Sequence, residues 1–127
     1  MSQNTILGGG SGVQLLTGPN SVVSNNYITG TVAGVLLGCY PVPSDCAITS
    51  NPTPIAKGVH VMGNVIKNSA MYGIAVMAES SNDKIIGNYI TGTASSGYDL
   101  YSDQTGTGNV WFGDFCGDHT SSPPGLC

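Results

Sequence analysis

The sequence predicts an all-β fold, a solenoid of about five coils in which short parallel strands stack on one another. Two observations support this prediction: a segment that recurs along the chain, and apolar residues that alternate with period two over short runs. The length of 127 residues fits one domain, residues 1–127. Hydrophobic residues make up 40% of the chain and charged residues 8%, the reverse of a disordered composition, so a folded domain is expected.

The repeat is clearest in two segments that share the run Asn-Tyr-Ile-Thr-Gly-Thr, Asn20 to Thr31 and Asn82 to Thr93. A third copy, Gly58 to Ile66, lies between them. An asparagine marks each full or partial copy, and successive markers are almost evenly spaced except for one long interval. The markers are Asn4, Asn26, Asn64, Asn88 and Asn109.

The long interval, from Asn26 to Asn64, is one ordinary coil with an insertion. We place the insertion at about residues 38–57, where four prolines occur between Cys39 and Lys57. The coils then cover about residues 4–113, and residues 114–127, rich in Gly, Pro and Ser, form a closing segment. The sequence therefore predicts one coiled unit with one loop insertion.

Alternation within each copy predicts three inward columns of stacked apolar side chains. They are Val23, Val61 and Ile85; Ile6, Ile28, Ile66 and Ile90; and Leu15, Leu37, Val76 and Leu100. The marker asparagines are expected to stack as a hydrogen-bonded ladder, because each amide both donates and accepts. Two outward columns follow, one of Thr5, Tyr27, Val65, Tyr89 and Val110, and one of Gln14, Leu36, Ala75 and Asp99.

The pattern Asn-x-Ile, Gly-Ile/Val-x-Leu/Val and Asn-x-x-Ile, recurring once per coil, resembles the right-handed parallel β-helix repeats of the pectin-lyase-like superfamily. The ending from Gly108 to Cys127 is similar to the C-terminal closure of many secreted bacterial members. The resemblance covers nearly the whole chain and implies a single-stranded right-handed parallel β-helix. It implies little about activity, because such solenoids include lyases, hydrolases, adhesins and scaffolds.

The outward columns are more apolar than a solvated face requires. Tyr27, Val65, Tyr89 and Leu36 are candidate interface residues, since soluble monomers seldom expose large contiguous apolar patches. The alternatives are ordinary strand residues on a solvated surface and aromatic stacking on a sugar. An open N-terminal end, with no cap before Asn4, adds an edge that another subunit or preceding coils would complete.

Four cysteines fall into two local pairs, Cys39 with Cys46 and Cys116 with Cys127, although four cysteines allow three connectivities. The spacings do not fit the Cys-x-x-Cys blocks of structural zinc sites, so disulfides are the favoured interpretation. Stable disulfides indicate an oxidising setting, at the cell surface or outside the cell.

Catalysis is disfavoured. β-helix enzymes that cleave polyuronates combine clustered carboxylates for calcium with a basic residue that is often arginine, whereas this chain has no arginine and seven acidic residues that are scattered. Glu79 and Asp103 are separated by one coil's length of sequence, so they are expected on adjacent coils and are the candidate Ca²⁺ ligands. The alternative is that both are solvated turn residues. No other cofactor is expected.

Composition excludes further classes. Three lysines, no arginine and a net charge of −4 argue against nucleic-acid binding, and no apolar run reaches the length of a membrane span. We expect a non-catalytic extracellular structural module that self-associates, end to end or laterally, into a filament or surface layer. The alternative is a domain that binds or cleaves polysaccharide, or a fragment of a longer one.

Overall fold

The computed structural model describes residues 1–15, 18–38, 56–77, 79–117 and 120–127. The described residues form fourteen β-strands and no helix. No helix long and apolar enough to cross a membrane occurs in this part of the chain. The predicted insertion falls largely on residues outside the described ranges.

The strands are short except for two of eleven residues, β1 and β4. In chain order they are β1 Thr5–Leu15, β2 Gly18–Pro19, β3 Val22–Ser24, β4 Tyr27–Leu37, β5 Ala56–Lys57, β6 His60–Met62, β7 Val65–Lys67, β8 Tyr72–Val76, β9 Lys84–Ile86, β10 Tyr89–Thr91, β11 Tyr98–Ser102, β12 Val110–Phe112, β13 Phe115–Cys116 and β14 Ser121–Ser122.

All pairings between these strands are parallel, as stacking of successive coils requires. The largest sheet has eight strands: β4 pairs with β1 on one edge and with β7 and β8 on the other, and the sheet continues through β10 and β11 to β13 and β14. A second sheet runs β3-β6-β9-β12, and β2 pairs with β5. The architecture is the predicted all-β solenoid.

Two of the predicted inward columns are confirmed. Ile6, Ile28, Ile66 and Ile90 pair in register, and Cys116 extends that column. The other column contains Val23, Val61 and Ile85 and is extended by Trp111. Most of these side chains are fully buried in one continuous core, because every coil covers the apolar face of the one before it.

The third predicted column is wrong at its last member, because the residue predicted there lies two positions too early in the sequence. Leu15, Leu37 and Val76 pair as expected, but Val76 is followed by Ser102, and Leu100 pairs with Ile74. The cause is turn length: four residues separate β7 from β8, whereas six separate β10 from β11. The longer turn shifts every later residue of that coil.

This shift also corrects the second outward column. Leu36 and Ala75 are followed by Tyr101, and Asp99 is buried at the position that Gly12, Gly34 and Gly73 hold in earlier coils. Leu36 is only 4% exposed. It belongs to a second apolar cluster outside the main core, with Ala33, Ala75 and Met77, against which Tyr72 and Tyr101 pack. The prediction of Leu36 as an exposed interface residue is therefore wrong.

The segment predicted to close the C-terminal end continues the solenoid. Phe115–Cys116 pairs with β10, and Ser121–Ser122 pairs with β11. Leu126 packs against the core from this side.

Gly12, Gly34 and Gly73 stack in one column, where the lack of a side chain is a steric requirement that generates a prediction. A Cβ at Gly73 would lie 2.5 Å from both the Asp99 carbonyl oxygen and Ile90 Cγ2. Gly73→Ala should therefore destabilise the protein by about 1–3 kcal/mol through overpacking, measured by chemical unfolding. Gly10→Ala is the matched control, because a Cβ there meets nothing within 4 Å. Equal losses in the two variants would contradict the assigned register.

Candidate functional site

A ladder of asparagine side chains runs through the turns that link the two larger sheets. The Oδ1 atoms of Asn26, Asn64 and Asn88 each accept a backbone N–H from the preceding ladder residue, at 3.0, 2.9 and 3.0 Å. The same oxygens accept the side-chain Nδ2 of that residue at 3.1, 3.0 and 2.9 Å. Asn4, Asn26, Asn64 and Asn88 thus lie on one hydrogen-bonded column, which aligns the turns of successive coils.

The ladder ends on an aspartate. Asp114 Oδ1 accepts both the backbone N–H and the Nδ2 of Asn88 at 2.8 Å. Asn109 lies on a second column, where its Oδ1 accepts the Asp83 N–H at 2.9 Å and Asp83 Oδ1 in turn accepts the Val59 N–H at 2.8 Å.

The prediction of Asn109 as a member of the main ladder is therefore wrong. Asn109 precedes β12, a strand of the four-stranded sheet, whereas the main ladder residues precede strands of the eight-stranded sheet. Its separation from Asn88 along the chain is close to the length of one coil, which is why the marker spacing misassigns it. The signal that was missed is Asp114, which stands as far after Asn88 as Asn109 stands after Asp83.

Both ladder aspartates are buried, and burial changes their acidity. Desolvation raises the pKa of Asp83 to about 6, against the lowering effect of the Val59 and Gly58 backbone N–H groups and of His60. Desolvation also raises the pKa of Asp114, against the lowering effect of the Asn88 hydrogen bonds to Oδ1 and of the Phe112 backbone.

The first outward column ends differently from the prediction. Tyr27, Val65 and Tyr89 are followed by Phe115, and Val110 instead pairs with Lys84 on the other sheet. Tyr27, Tyr89 and Phe115 are 39%, 45% and 48% exposed. The Tyr89 and Phe115 rings are stacked, with centroids 4.8 Å apart and planes 7° apart, and the Lys67 ammonium lies 5.9 Å from the Tyr27 centroid.

A second apolar column runs beside the first, on the outer face of the four-stranded sheet. It contains Met62, Ile86 and Phe112, and Phe112 is 72% exposed. Between the two columns lie tight turns with glycines in the left-handed region. These turn glycines are Gly63, Gly87 and Gly113, with φ of 64°, 66° and 68°. We call the seven side chains of Tyr27, Met62, Val65, Ile86, Tyr89, Phe112 and Phe115 the outer apolar ridge.

Glu79 and Asp103 do not lie directly over one another in the register of the strands. The Glu79 N–H donates to Thr105 Oγ1 at 2.7 Å, and that hydroxyl donates to Asp103 Oδ1 at 2.7 Å. The two-residue shift of the third column thus places Glu79 over Thr105. Among the described residues no three His, Cys, Asp or Glu side chains form a group that could hold a metal ion. A Ca²⁺ site at these carboxylates stays a prediction.

A disulfide joins Cys116 and Cys127, as predicted, with Cα atoms 5.8 Å apart. Cys116 is buried at the end of the isoleucine column, so the bond ties the last described residue to the core. Cys39 and Cys46 lie outside the described residues, and their pairing stays a prediction.

The ladder generates a prediction for Asn64, which is fully buried. Its Oδ1 accepts two hydrogen bonds from Asn26, and its Nδ2 donates to the Val23 carbonyl and to Asn88. Because Asn64→Ala leaves several buried groups unpaired, we expect a loss of about 3 kcal/mol or more of unfolding free energy in urea. Asn4→Ala, at the exposed end of the same ladder, should lose less; equal losses would contradict the ladder's role.

Comparison with known proteins agrees with this geometry. A family model described as a right-handed β-helix region matches residues 1–111. No curated protein sequence and no solved structure gives a significant match. The parallel strands, the register of the inward columns and this match lead to the same assignment: the chain belongs to the right-handed β-helix family.

Proposed function

We propose that this β-helix is a non-catalytic structural module that acts outside the cell and self-associates through its outer apolar ridge. The observation that carries the proposal is the exposure of large apolar side chains in two adjacent columns of the solenoid. In a β-helix the inward side chains are already used by the core, so outward columns are the surface available to a partner.

The composition of the ridge favours burial in an interface. Its aromatic members, Tyr27, Tyr89, Phe112 and Phe115, are between 39% and 72% exposed. Contiguous exposed apolar side chains on a soluble protein mark interaction sites, and interface cores are enriched in aromatic residues and methionine. The two columns run along the stacking direction, so the ridge is a straight surface that another solenoid of the same shape can lie against.

Ring orientation favours a protein partner over a sugar. A sugar ring stacks on an open aromatic face, whereas Tyr89 and Phe115 cover one face of each other and Lys67 lies over Tyr27. The partly exposed rings suit packing against apolar side chains. A second copy of this chain offers such side chains at the same spacing, because both ridges have the spacing of stacked strands.

An end-to-end geometry would use another surface. β1 pairs with β4 along one edge, and no described strand pairs with its other edge. Free backbone groups on a strand edge are a template for further pairing. We favour the lateral geometry because the ridge offers side-chain burial as well.

The proposed location rests on the Cys116–Cys127 disulfide. Disulfides of this kind persist in oxidising compartments and are rare where thiols are kept reduced. The closed loop spans a separation of 11 residues, for which chain entropy gives a stabilisation of about 3 kcal/mol at most.

Substitution of the ridge tests the proposal. We expect the wild-type chain to associate as its concentration is raised in sedimentation experiments, and we expect Tyr89→Ser and Phe112→Ser to weaken that association by about tenfold or more each, as hot-spot aromatics do. Because apolar burial drives the contact, sulfate should strengthen it.

Val32→Ser is the control, since Val32 is 41% exposed on β4 but lies off the ridge. A wild-type chain that stays monomeric, or ridge variants that associate like the wild type, would refute lateral self-association. Association lost in Leu7→Ser alone would indicate the end-to-end geometry, because Leu7 is 72% exposed on β1.

The alternative function is binding or cleavage of a polysaccharide centred on Glu79 and Asp103. Under our proposal Ca²⁺ should not raise the melting temperature, and the chain should release no sugar from acidic polysaccharides. A Ca²⁺-dependent rise that disappears in Glu79→Gln and in Asp103→Asn would support the alternative, because both carboxylates are its proposed ligands.

A further inference from the structure

Two aspartates occupy positions in these columns where an adjacent coil has asparagine, Asn88 next to Asp114 and Asn109 next to Asp83. Asp114 takes the place that follows Asn88 in the main ladder, and Asp83 lies between Val59 and Asn109 in the second column. Each uses Oδ1 as an asparagine would, accepting hydrogen bonds from the preceding coil. The two side chains differ at the second position, where asparagine has the donor group NH₂ and aspartate has the oxygen Oδ2.

The asparagines of both columns show which group faces this second position. Nδ2 of Asn64 donates to the Val23 carbonyl at 2.9 Å, and Nδ2 of Asn88 donates to the Val61 carbonyl at 3.0 Å. In the column of Val59, Asp83 and Asn109, Nδ2 of Asn109 donates to the Ser80 carbonyl at 2.9 Å. In all three cases the acceptor stands three residues before the ladder residue of the preceding coil.

The same rule assigns a carbonyl to each aspartate: that of Ile85 to Asp114 and that of Ala56 to Asp83. An ionised carboxylate has acceptors only, so its Oδ2 would face a carbonyl oxygen with no proton between them. Oδ2 of Asp83 and Oδ2 of Asp114 are both buried and have no hydrogen-bond partner. A proton on Oδ2 supplies the missing donor and makes aspartic acid equivalent to asparagine.

We propose that Asp83 and Asp114 are proton-binding members of the two ladders, so that the solenoid takes up protons at these sites in mild acid and its C-terminal coils become more stable. The inference goes beyond the proposed function and does not depend on self-association. It concerns the coil that presents Phe112 and Phe115, because Asp114 lies in the turn between these two ridge residues.

The charged groups on the packed elements oppose protonation only weakly. His60 of β6 lowers the pKa of Asp83, and its effect ranks below burial and the backbone hydrogen bonds. Lys57 of β5 and Lys84 of β9 are exposed. Around Asp114, β9 contributes Lys84 and β10 contributes the phenol of Tyr89, while β12 and β13 contain no charged residue. Burial is therefore the dominant influence on both carboxyls.

The direction of the pH effect follows from linkage. The pKa of folded Asp83 lies near 6, above its ordinary 3.8, so the folded state binds the proton more tightly than the unfolded state. Its contribution to stability is present in full below pH 3.8 and is lost as the pH rises through about 6. The raised pKa of Asp114 acts in the same direction.

The experiment compares the full chain with Asp83→Asn, Asp114→Asn and the double variant in urea unfolding between about pH 7.5 and about pH 4.5. We expect each variant to be at least as stable as the wild type at the higher pH, because asparagine supplies the donor at any pH. Relative to the wild type, the folding equilibrium constant of Asp83→Asn should fall by about 25-fold on acidification, given pKa values of about 6 folded and 3.8 unfolded. Glu79→Gln, an exposed carboxylate outside the ladders, is the control and should show no such fall.

Carboxyl-carbon NMR titration of the folded wild type gives a readout that does not depend on the variants. We expect a midpoint near 6 for Asp83 and a midpoint above 3.8 for Asp114. Midpoints at or below 3.8 for both carboxyls would overturn the proposal, as would asparagine variants whose stability relative to wild type does not change with pH.

Discussion

The in-register stacking of one coil on the next is the constraint from which the other features follow. Parallel pairing places Ile28 over Ile6 and Ile66 over Ile28, and the same register places Asn64 Oδ1 within 3.0 Å of two donors of Asn26. Apolar burial supplies the favourable free energy but does not fix the spacing, because it has no direction. The backbone hydrogen bonds of the parallel strands fix the spacing, and the ladder adds side-chain hydrogen bonds that form only when the turns of successive coils align. The apolar core and the ladder therefore depend on the same strand register.

The same geometry separates the positions that stabilise the fold from the positions on its outer surface. Inward and ladder positions leave little freedom, as Gly73 illustrates, because a single added carbon would meet the Asp99 carbonyl and Ile90. Outward positions are not restricted in this way, and they hold the aromatic side chains of the outer apolar ridge. The left-handed glycines at Gly63, Gly87 and Gly113 keep the turn between its two columns narrow. The outer surface can thus change without altering the core.

One aspartate belongs both to the buried ladder and to the coil that carries the outer apolar ridge. Asp114 ends the main ladder and also lies between Phe112 and Phe115, the most exposed aromatic residues of the ridge. A buried carboxyl without a partner for its second oxygen is a cost at neutral pH that an asparagine would avoid. Its position links the protonation state of the core to the coil that presents the ridge.

The solenoid, two of its three inward columns and four of its five predicted ladder asparagines follow from the sequence, because residues repeated at near-constant intervals must stack when parallel strands pair. The Cys116–Cys127 pairing was also accessible from local spacing. The positions of Leu100, Asp99 and Asn109 were not, because intervals between markers do not reveal which turn holds the extra residues. The folded chain was needed to show that the turn before β11 is two residues longer, that Leu36 packs inside a second cluster, and that Asp83 and Asp114 complete the ladders. The physical reason is that strand register depends on turn conformation as well as on hydrophobic period.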